Sequence, residues 1–304
     1  MDRQTPKMRN KVPAIAVLAA LLAVGLFAVV ADRPCPANAG LVAGGAEGPG
    51  PLSAPIGAGS PAGEEETMAG SDQVRGKAAR EAVDKLIAEQ KFEAAAAECA
   101  RIREEARKSG DTTLWTWALI REGQLRTSLH GYETAVRFFK EQPWPESPLE
   151  RDMLDLFFAN SLVTYYHAYS WDINRRERVE SAGPIDLKSW TRDQIFDDAW
   201  QALMRVWRDR DRLADHKAGE FPDFWSPGNY PASVRDTLRD GLVYLLARLL
   251  SDTAFWTPRQ SNETWLLDLP DLLSKAGKAS ADDAARILGS GASHPVEKVA
   301  ALLG

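Results

Sequence analysis

This chain has few of the residues that announce chemistry. Its 304 residues include two cysteines, Cys35 and Cys99, and four histidines, His130, His167, His216 and His294. Two cysteines make no disulfide framework, and no C-x-x-C or H-E-x-x-H spacing offers a ligand set to a metal. G-x-S-x-G is absent, as is any glycine loop of phosphate-cradling spacing. No stretch shows the alternating β-branched pattern of a strand. Positive charge is also short, with 37 Lys and Arg against 43 Asp and Glu for a net charge of −6. Loss of residues 1–39 would remove five basic and two acidic residues and leave −9. A nucleic-acid surface needs clustered positive charge, and no Lys/Arg block here interleaves with aromatics, which argues against nucleic acid as a partner. The alternation Arg208-Asp209-Arg210-Asp211-Arg212 compensates itself and reads as a solvated helix end. No cofactor and no metal is expected.

What is present begins at the N-terminus. Residues 13–31 (PAIAVLAALLAVGLFAVVA) form an unbroken apolar run of 19 residues. Arg3, Lys7, Arg9 and Lys11 precede it, so the N-terminus should stay cytoplasmic and the rest should cross the membrane. The length suits a spanning anchor. Ala37-Asn38-Ala39 nevertheless matches a signal-peptidase site, with Pro34 and Pro36 breaking the helix before it. Residues 1–39 therefore read as a cleaved signal peptide or a retained anchor. Cys35 follows Asp32-Arg33-Pro34, which is not the small apolar lead-in of a lipidated cysteine. Eight glycines and six prolines fall in residues 32–63, too little apolar surface to offset the entropy of ordering. Residues 40–72 read as a disordered linker. With the residues before it, this tether would span roughly 35 Å on average.

Residues 73–304 read as one all-α module of stacked antiparallel helical hairpins. Phe196, Trp200, Leu203, Met204 and Trp207 form one apolar stripe. Val234, Leu238, Leu242, Leu245 and Leu249 form another, with Pro231 placed in its first turn and Gly241 in mid-helix. Thr191-x-x-Gln194 and Ser280-x-x-Asp283 read as capping boxes. Cys99 falls on an apolar helix face, as a buried structural thiol would. Lys91-Phe92-Glu93-Ala94-Ala95 matches Gly131-Tyr132-Glu133-Thr134-Ala135 at a spacing of 40 residues. This resembles the tetratricopeptide pattern, in which an aromatic after the turn and an Ala three residues on pack two antiparallel helices.

Candidate chemistry is sparse. His167 lies in Tyr165-Tyr166-His167-Ala168-Tyr169-Ser170-Trp171-Asp172, which suits a sugar or peptide cleft, or more plainly a helix end buried by aromatics. The acidic pairs Asp197-Asp198, Glu220 with Asp223 and Asp236 with Asp240 are the candidates for glycan cleavage by two carboxylates. Among 43 acidic residues such pairs arise by number alone. All ten tryptophans lie between Trp115 and Trp265. Trp225 sits in residues 220–231, a loop of three prolines and four aromatics that must be held against its own helices or a partner. Phe221, Phe224, Trp225, Tyr230, Tyr166 and Trp171 are thus the candidate interaction surface, with no catalytic residue expected.

The stretch Asn229-Tyr230-Pro231, Val234-Arg235-Asp236-Thr237-Leu238-Arg239-Asp240-Gly241-Leu242-Val243-Tyr244, followed by Gln260-Ser261-Asn262-Glu263 and Leu267-Asp268-Leu269, resembles the helical N-terminal region of large bacterial α2-macroglobulin-like proteins. The resemblance implies an exported, non-enzymatic module ahead of protease-trapping domains. The family's Cys-Gly-Glu-Gln-type thioester is absent, since Cys35 leads Pro-Ala-Asn and Cys99 leads Ala-Arg-Ile. No bait region fits in the chain, so it could not trap a protease by itself. The expected partner is protein, either downstream domains of the same polypeptide or an envelope protein. A membrane contact through residues 13–31 would follow if they are retained. The expected location is the periplasm or cell surface. Two alternatives are a free-standing helical-repeat scaffold and a helical enzyme acting on cell-wall glycans.

Overall fold

Helices make up most of the described residues. In the computed structural model the described residues are 63–177, 186–221, 224, 236–275, 278, 280–291 and 293–302, with the backbone alone for 63–75 and a few later positions. They form twelve α-helices: α1 (Gly63–Ala88), α2 (Phe92–Ser109), α3 (Thr112–Ser128), α4 (Tyr132–Glu141), α5 (Pro148–Ile173), α6 (Arg192–Arg208), α7 (Arg210–Leu213), α8 (Leu238–Ser251), α9 (Pro258–Glu263), α10 (Leu269–Lys275), α11 (Ala281–Gly289) and α12 (Pro295–Leu302). The architecture is all-α, built of helical hairpins. α1 starts at Gly63, inside the segment read as linker. Glu64-Glu65-Glu66 follow, and acidic residues are favoured at a helix start by the dipole. The rest of that linker and the run at 13–31 lie outside the described residues. Among those described, no helix is long and apolar enough to cross a membrane.

Two compact units divide the chain, one ending at Leu125 and one running from Arg126. In the first, Ala95, Cys99, Ile102 and Ala106 make the buried stripe of α2. Small residues at these positions let helix axes approach closely. Cys99 is fully buried, and burial pushes its thiol up to about 12. α3 is buried on more than one side, through Leu114, Trp117, Ala118, Leu119 and Ile120. Polar groups on such a helix must find partners. Glu122 accepts from Arg103 Nε of α2 at 3.1 Å, and Arg121 reaches Asp84 of α1 at 2.6 Å. Gly110, at φ 77°, ends α2, and Asp111 immediately caps α3 by accepting the Leu114 N–H at 2.9 Å.

The repeat in the sequence is a repeat of backbone geometry. Gln90 and His130, the residues before each matched pentapeptide, are left-handed at φ 59° and φ 60°. At the first turn Gln90 N–H donates to Ile87 O at 2.9 Å and Lys91 N–H to Leu86 O at 2.9 Å. At the second, His130 N–H donates to Thr127 O at 3.0 Å and Gly131 N–H to Arg126 O at 2.8 Å. Ala95 and Ala135, the small residues of the two copies, are both buried. The copies differ at one point. A Cβ on Gly131 would lie 2.5 Å from Thr134 Oγ1 and 2.9 Å from the Arg126 carbonyl oxygen. The first copy carries Lys91 at that place and Ala94 in place of the threonine.

In the second unit α5 is the central helix. Its buried residues include Met153, Leu154, Leu156, Phe157, Phe158, Ala159, Leu162, Tyr165 and Tyr166, which cover several faces. Pro148 stands at its first turn, where the missing N–H is no loss. α6 runs antiparallel to it, since contacts pair Asp152 with Arg212 and Asp155 with Arg205 at one end, and Tyr165 with Leu187 at the other. Asp155 accepts two bonds from the Arg205 fork, at 3.0 and 2.5 Å. Arg212 Nη2 reaches Asp152 at 2.5 Å. The Arg-Asp alternation at 208–212 is therefore more than a solvated helix end, because Arg212 clamps α7 to a buried carboxylate. The stripe on α6 also differs in detail from expectation: Trp207 is buried, but Trp200 is half-buried beneath Lys298.

The box Thr191–Gln194 caps α6, and Ser280 caps α11 by accepting the Asp283 N–H at 3.1 Å. α8 departs from expectation by starting at Leu238. Thr237 is extended there and pairs in an antiparallel bridge with Lys217, so the helix cannot begin earlier. Asp240 then accepts from Thr237 N–H at 2.8 Å and completes a capping box. Gly241 consequently sits in the first turn rather than in mid-helix, and Pro231 lies outside the described residues.

Two predictions follow from this packing. Gly131→Ala should destabilise the protein by about 1–3 kcal/mol through overpacking. Adding Thr134→Ala, which recreates the first copy, should recover part of that loss in urea denaturation; no recovery would mean that the Arg126 carbonyl alone sets the penalty. The second concerns Asp152. Burial pushes its carboxyl up to about 6, against the opposing pull of Arg212. Between about pH 4 and 6 the folded protein holds a proton that the unfolded chain has lost, so stability falls as pH rises through that window. Asp152→Asn should remove up to ~3 kcal/mol of that fall. Denaturation at pH 4.5 and 7.5 should then show the variant gaining on the wild type at the higher pH. Asp155, also raised by burial against Arg205, titrates in both proteins.

Candidate functional site

Large side chains left in water on an ordered frame are the feature to look for in a chain with so little reactive chemistry. The sequence candidates divide. Tyr166 is 1 % exposed, with its ring 4.3 Å from Phe255 and its hydroxyl donating to the Ala254 carbonyl at 3.1 Å. Phe224 is buried edge-on against Phe157 at 5.9 Å. Both are core residues and offer no surface. Phe221 is half-buried beside His216, and Trp225 and Tyr230 lie outside the described residues. Of the four that are described, Trp171 alone is open, at 69 %, with the Arg175 guanidinium 3.6 Å above its ring.

Around this aromatic stretch the polar groups tie helix ends together. His167 Nε2 meets Asp252 Oδ2 at 2.7 Å, while Asp252 Oδ1 caps the turn after α8 by accepting the Ala254 N–H at 3.1 Å. Arg176 donates to the carbonyls of Leu187 and Trp190, each at 3.0 Å, and to Asp172 at 2.9 Å. The neighbouring Ser170 hydroxyl turns back to the His167 carbonyl at 3.5 Å. The His–Asp pair thus acts as a clamp between α5 and the end of α8. Of the acidic pairs, Asp198 holds Lys140 and Asp240 caps α8. Glu220 accepts from Lys217 N–H at 3.2 Å, and Asp223 lies outside the described residues. Burial and the nearby Asp240 charge raise the Asp236 carboxyl.

Among the described residues, the most open large apolar side chains were missed by sequence reasoning. They are Trp265 and Leu266, at 78 % and 82 % exposure, in the 3₁₀ turn Thr264–Leu266 between α9 and α10. The frame beneath them is built from short-range caps. Thr257 and Gln260 form a capping box with Pro258 at the first turn of α9. Thr264 Oγ1 donates to the Gln260 carbonyl at 3.0 Å, and Arg259 pairs with Glu263 at 2.6 Å. Downstream, Asp268 accepts the Asp271 N–H at 3.1 Å and starts α10.

His294 pins this frame to α12. Its Nε2 lies 2.8 Å from the Gln260 carbonyl, and its Nδ1 accepts the Val296 N–H at 3.1 Å. A carbonyl can only accept and a backbone N–H can only donate, so the ring must be the Nε2–H tautomer. Glu297 returns a bond to the His294 N–H at 2.6 Å, closing a cap in which histidine replaces the usual hydroxyl. The ring also packs edge-on against buried Trp256 at 5.1 Å, whose Nε1–H donates to the Leu250 carbonyl at 2.8 Å. α12 starts at Pro295, with His294 as its cap. The signal that could have found it was H-x-x-E directly before an apolar run.

Comparison with family models, with curated proteins and with solved structures gives no significant match. The geometry of the chain itself carries the functional reading.

His294→Ala removes the cap of α12 and the bond to Gln260 together, and should cost about 2–4 kcal/mol. His294→Asn restores a good capping side chain but is too short to reach Gln260, and should fall between Ala and wild type in thermal denaturation. Equal melting of the two variants would contradict the double role.

Proposed function

We propose that this chain is a non-enzymatic helical docking module, displayed outside the cytoplasm, that engages another folded protein through the Trp265–Leu266 turn. The observation that carries the reading is the exposure of those two side chains, 78 % and 82 %, on a turn braced from both sides. Leaving a Trp and a Leu in water forgoes roughly 1.5–3 kcal/mol each. An interface that buries them recovers that free energy, and a large aromatic at the centre of a contact supplies much of its affinity. Asp268 and Asp271 flank the turn on one side, while Glu263 on the other is paired with Arg259. The complementary surface is therefore an apolar pocket with a basic rim.

Display rests on the apolar run at 13–31, the basic residues before it and the Gly/Pro segment after it. The turn also lies between Gln260-Ser261-Asn262-Glu263 and Leu267-Asp268-Leu269, the segments that resemble the N-terminal helical region of bacterial α2-macroglobulin-like proteins. That supports trapping domains of the same envelope polypeptide as the partner. The paired turns 40 residues apart favour the second reading, a helical-repeat scaffold that binds a separate envelope protein.

A photo-reactive residue placed at position 265 of the full chain in its native cell should give a covalent adduct, and one placed at 175 should not. An adduct internal to one polypeptide supports the first reading, and one to a second polypeptide supports the scaffold. Trp265→Ala with Leu266→Ala should leave thermal stability near wild type, since neither side chain packs inside. Absence of any adduct at 265 would overturn the docking surface.

A further inference from the structure

Away from that turn, the second unit contains an open cavity of about 380 Å³ where α4, α5 and α6 meet. This is large enough for a small ligand. Its charged lining comes from three separate helices: Lys140 from the last turn of α4, Arg151 from the first turns of α5, and Asp198 and Arg205 from α6. Trp144 and Phe158 form the apolar part, packed edge-on at 6.3 Å.

Two of the cations are held in place before any ligand arrives. Arg205 is fixed by its two bonds to buried Asp155, which occupy Nε and Nη2 and leave Nη1 for another acceptor. Lys140 is held by Asp198 and lies 4.3 Å from the Trp190 ring centre. Fixing a donor beforehand removes much of the entropy lost when an anion binds. Arg151 differs, because it is exposed and engages Asp155 through charge rather than through a hydrogen bond. Three cations face one lining carboxylate, and Asp155 behind Arg205 brings the acidic count to two. One positive charge remains over. A partly enclosed site with such an excess concentrates anions, and guanidinium forks match the planar oxygens of carboxylate and phosphate.

We propose that this cavity is a binding site for a small oxyanion, a carboxylate or phosphate group, held by Arg151, Arg205 and Lys140. The site is independent of the docking turn.

Titration calorimetry on the full chain tests it, with inorganic phosphate and acetate as probes and sodium chloride at matched ionic strength as the control. Saturable binding of either probe is expected, and whichever binds identifies the kind of oxyanion. Arg151→Gln should weaken that binding at least about fivefold. It should leave the melting curve close to that of the wild type, because the exposed side chain makes no hydrogen bond among the described residues and acts on buried Asp155 through charge alone. Arg175→Gln, which removes an equal charge beside Trp171, should leave the affinity unchanged. In parallel, the Trp144 indole N–H resonance should shift on titration in the wild type. No saturable binding, or equal weakening by the two arginine variants, would overturn the proposal.

Discussion

Two carboxylates inside the second unit set the terms for what surrounds them. α5 is covered on several faces, yet it carries Asp152 and Asp155 one turn apart on the side that meets α6 and α7. A buried carboxylate without a partner would be severely unfavourable, so Arg205 and Arg212 must reach them. That requirement fixes the level at which α6 lies along α5 and holds α7 in place although it is only one turn long. Hydrophobic packing alone would tolerate a slide of one helix along the other. Paired charges inside the contact do not, because a slide would break the two-bond fork between Arg205 and Asp155 and the bond from Arg212 to Asp152 together. At Asp152 burial outweighs the pull of its arginine, and the carboxyl is raised.

The same logic is repeated in neutral form at the far end of the unit. His294 satisfies the start of α12 with one ring nitrogen and the Gln260 carbonyl with the other. The short helix α9 has no fully buried side chain of its own, so it depends on such polar attachments. They brace the turn that carries Trp265 and Leu266 without enclosing it. A rigid frame under exposed apolar side chains differs from a fraying loop, because the entropy of ordering has already been lost in the free protein. In the first unit the bond from Arg103 to Glu122 does for α2 and α3 what the aspartates do for α5 and α6.

Much of the fold was legible in the residues, and the reasons are local. The Thr191–Gln194 box, the Ser280 cap and the pentapeptide match at 91 and 131 all report hydrogen bonds that close within a few residues. Cys99 was legible because an apolar face reads directly from helical spacing. The start of α8 was misread because Pro231 and Val234 extend the apolar spacing upstream. The bridge between Lys217 and Thr237, distant in sequence, is what holds Thr237 extended. Tyr166 and Phe224 looked like surface aromatics because composition does not reveal which aromatics find neighbours. The rings of Phe255 and Phe157 close over them from elsewhere in the chain.

By itself the sequence determined the helical class, the turn chemistry of the repeat, the capped starts and the acidic balance of the surface. Each depends on neighbours within one or two turns of the chain. Tertiary structure alone decided that Arg212 leaves its own charge run for a buried aspartate, and that Trp171 stays open while Tyr166 does not. It also decided that Trp265 and Leu266 face water. These outcomes depend on which helix arrives opposite each residue. That is settled by long-range packing, where a single buried charge outweighs many local preferences.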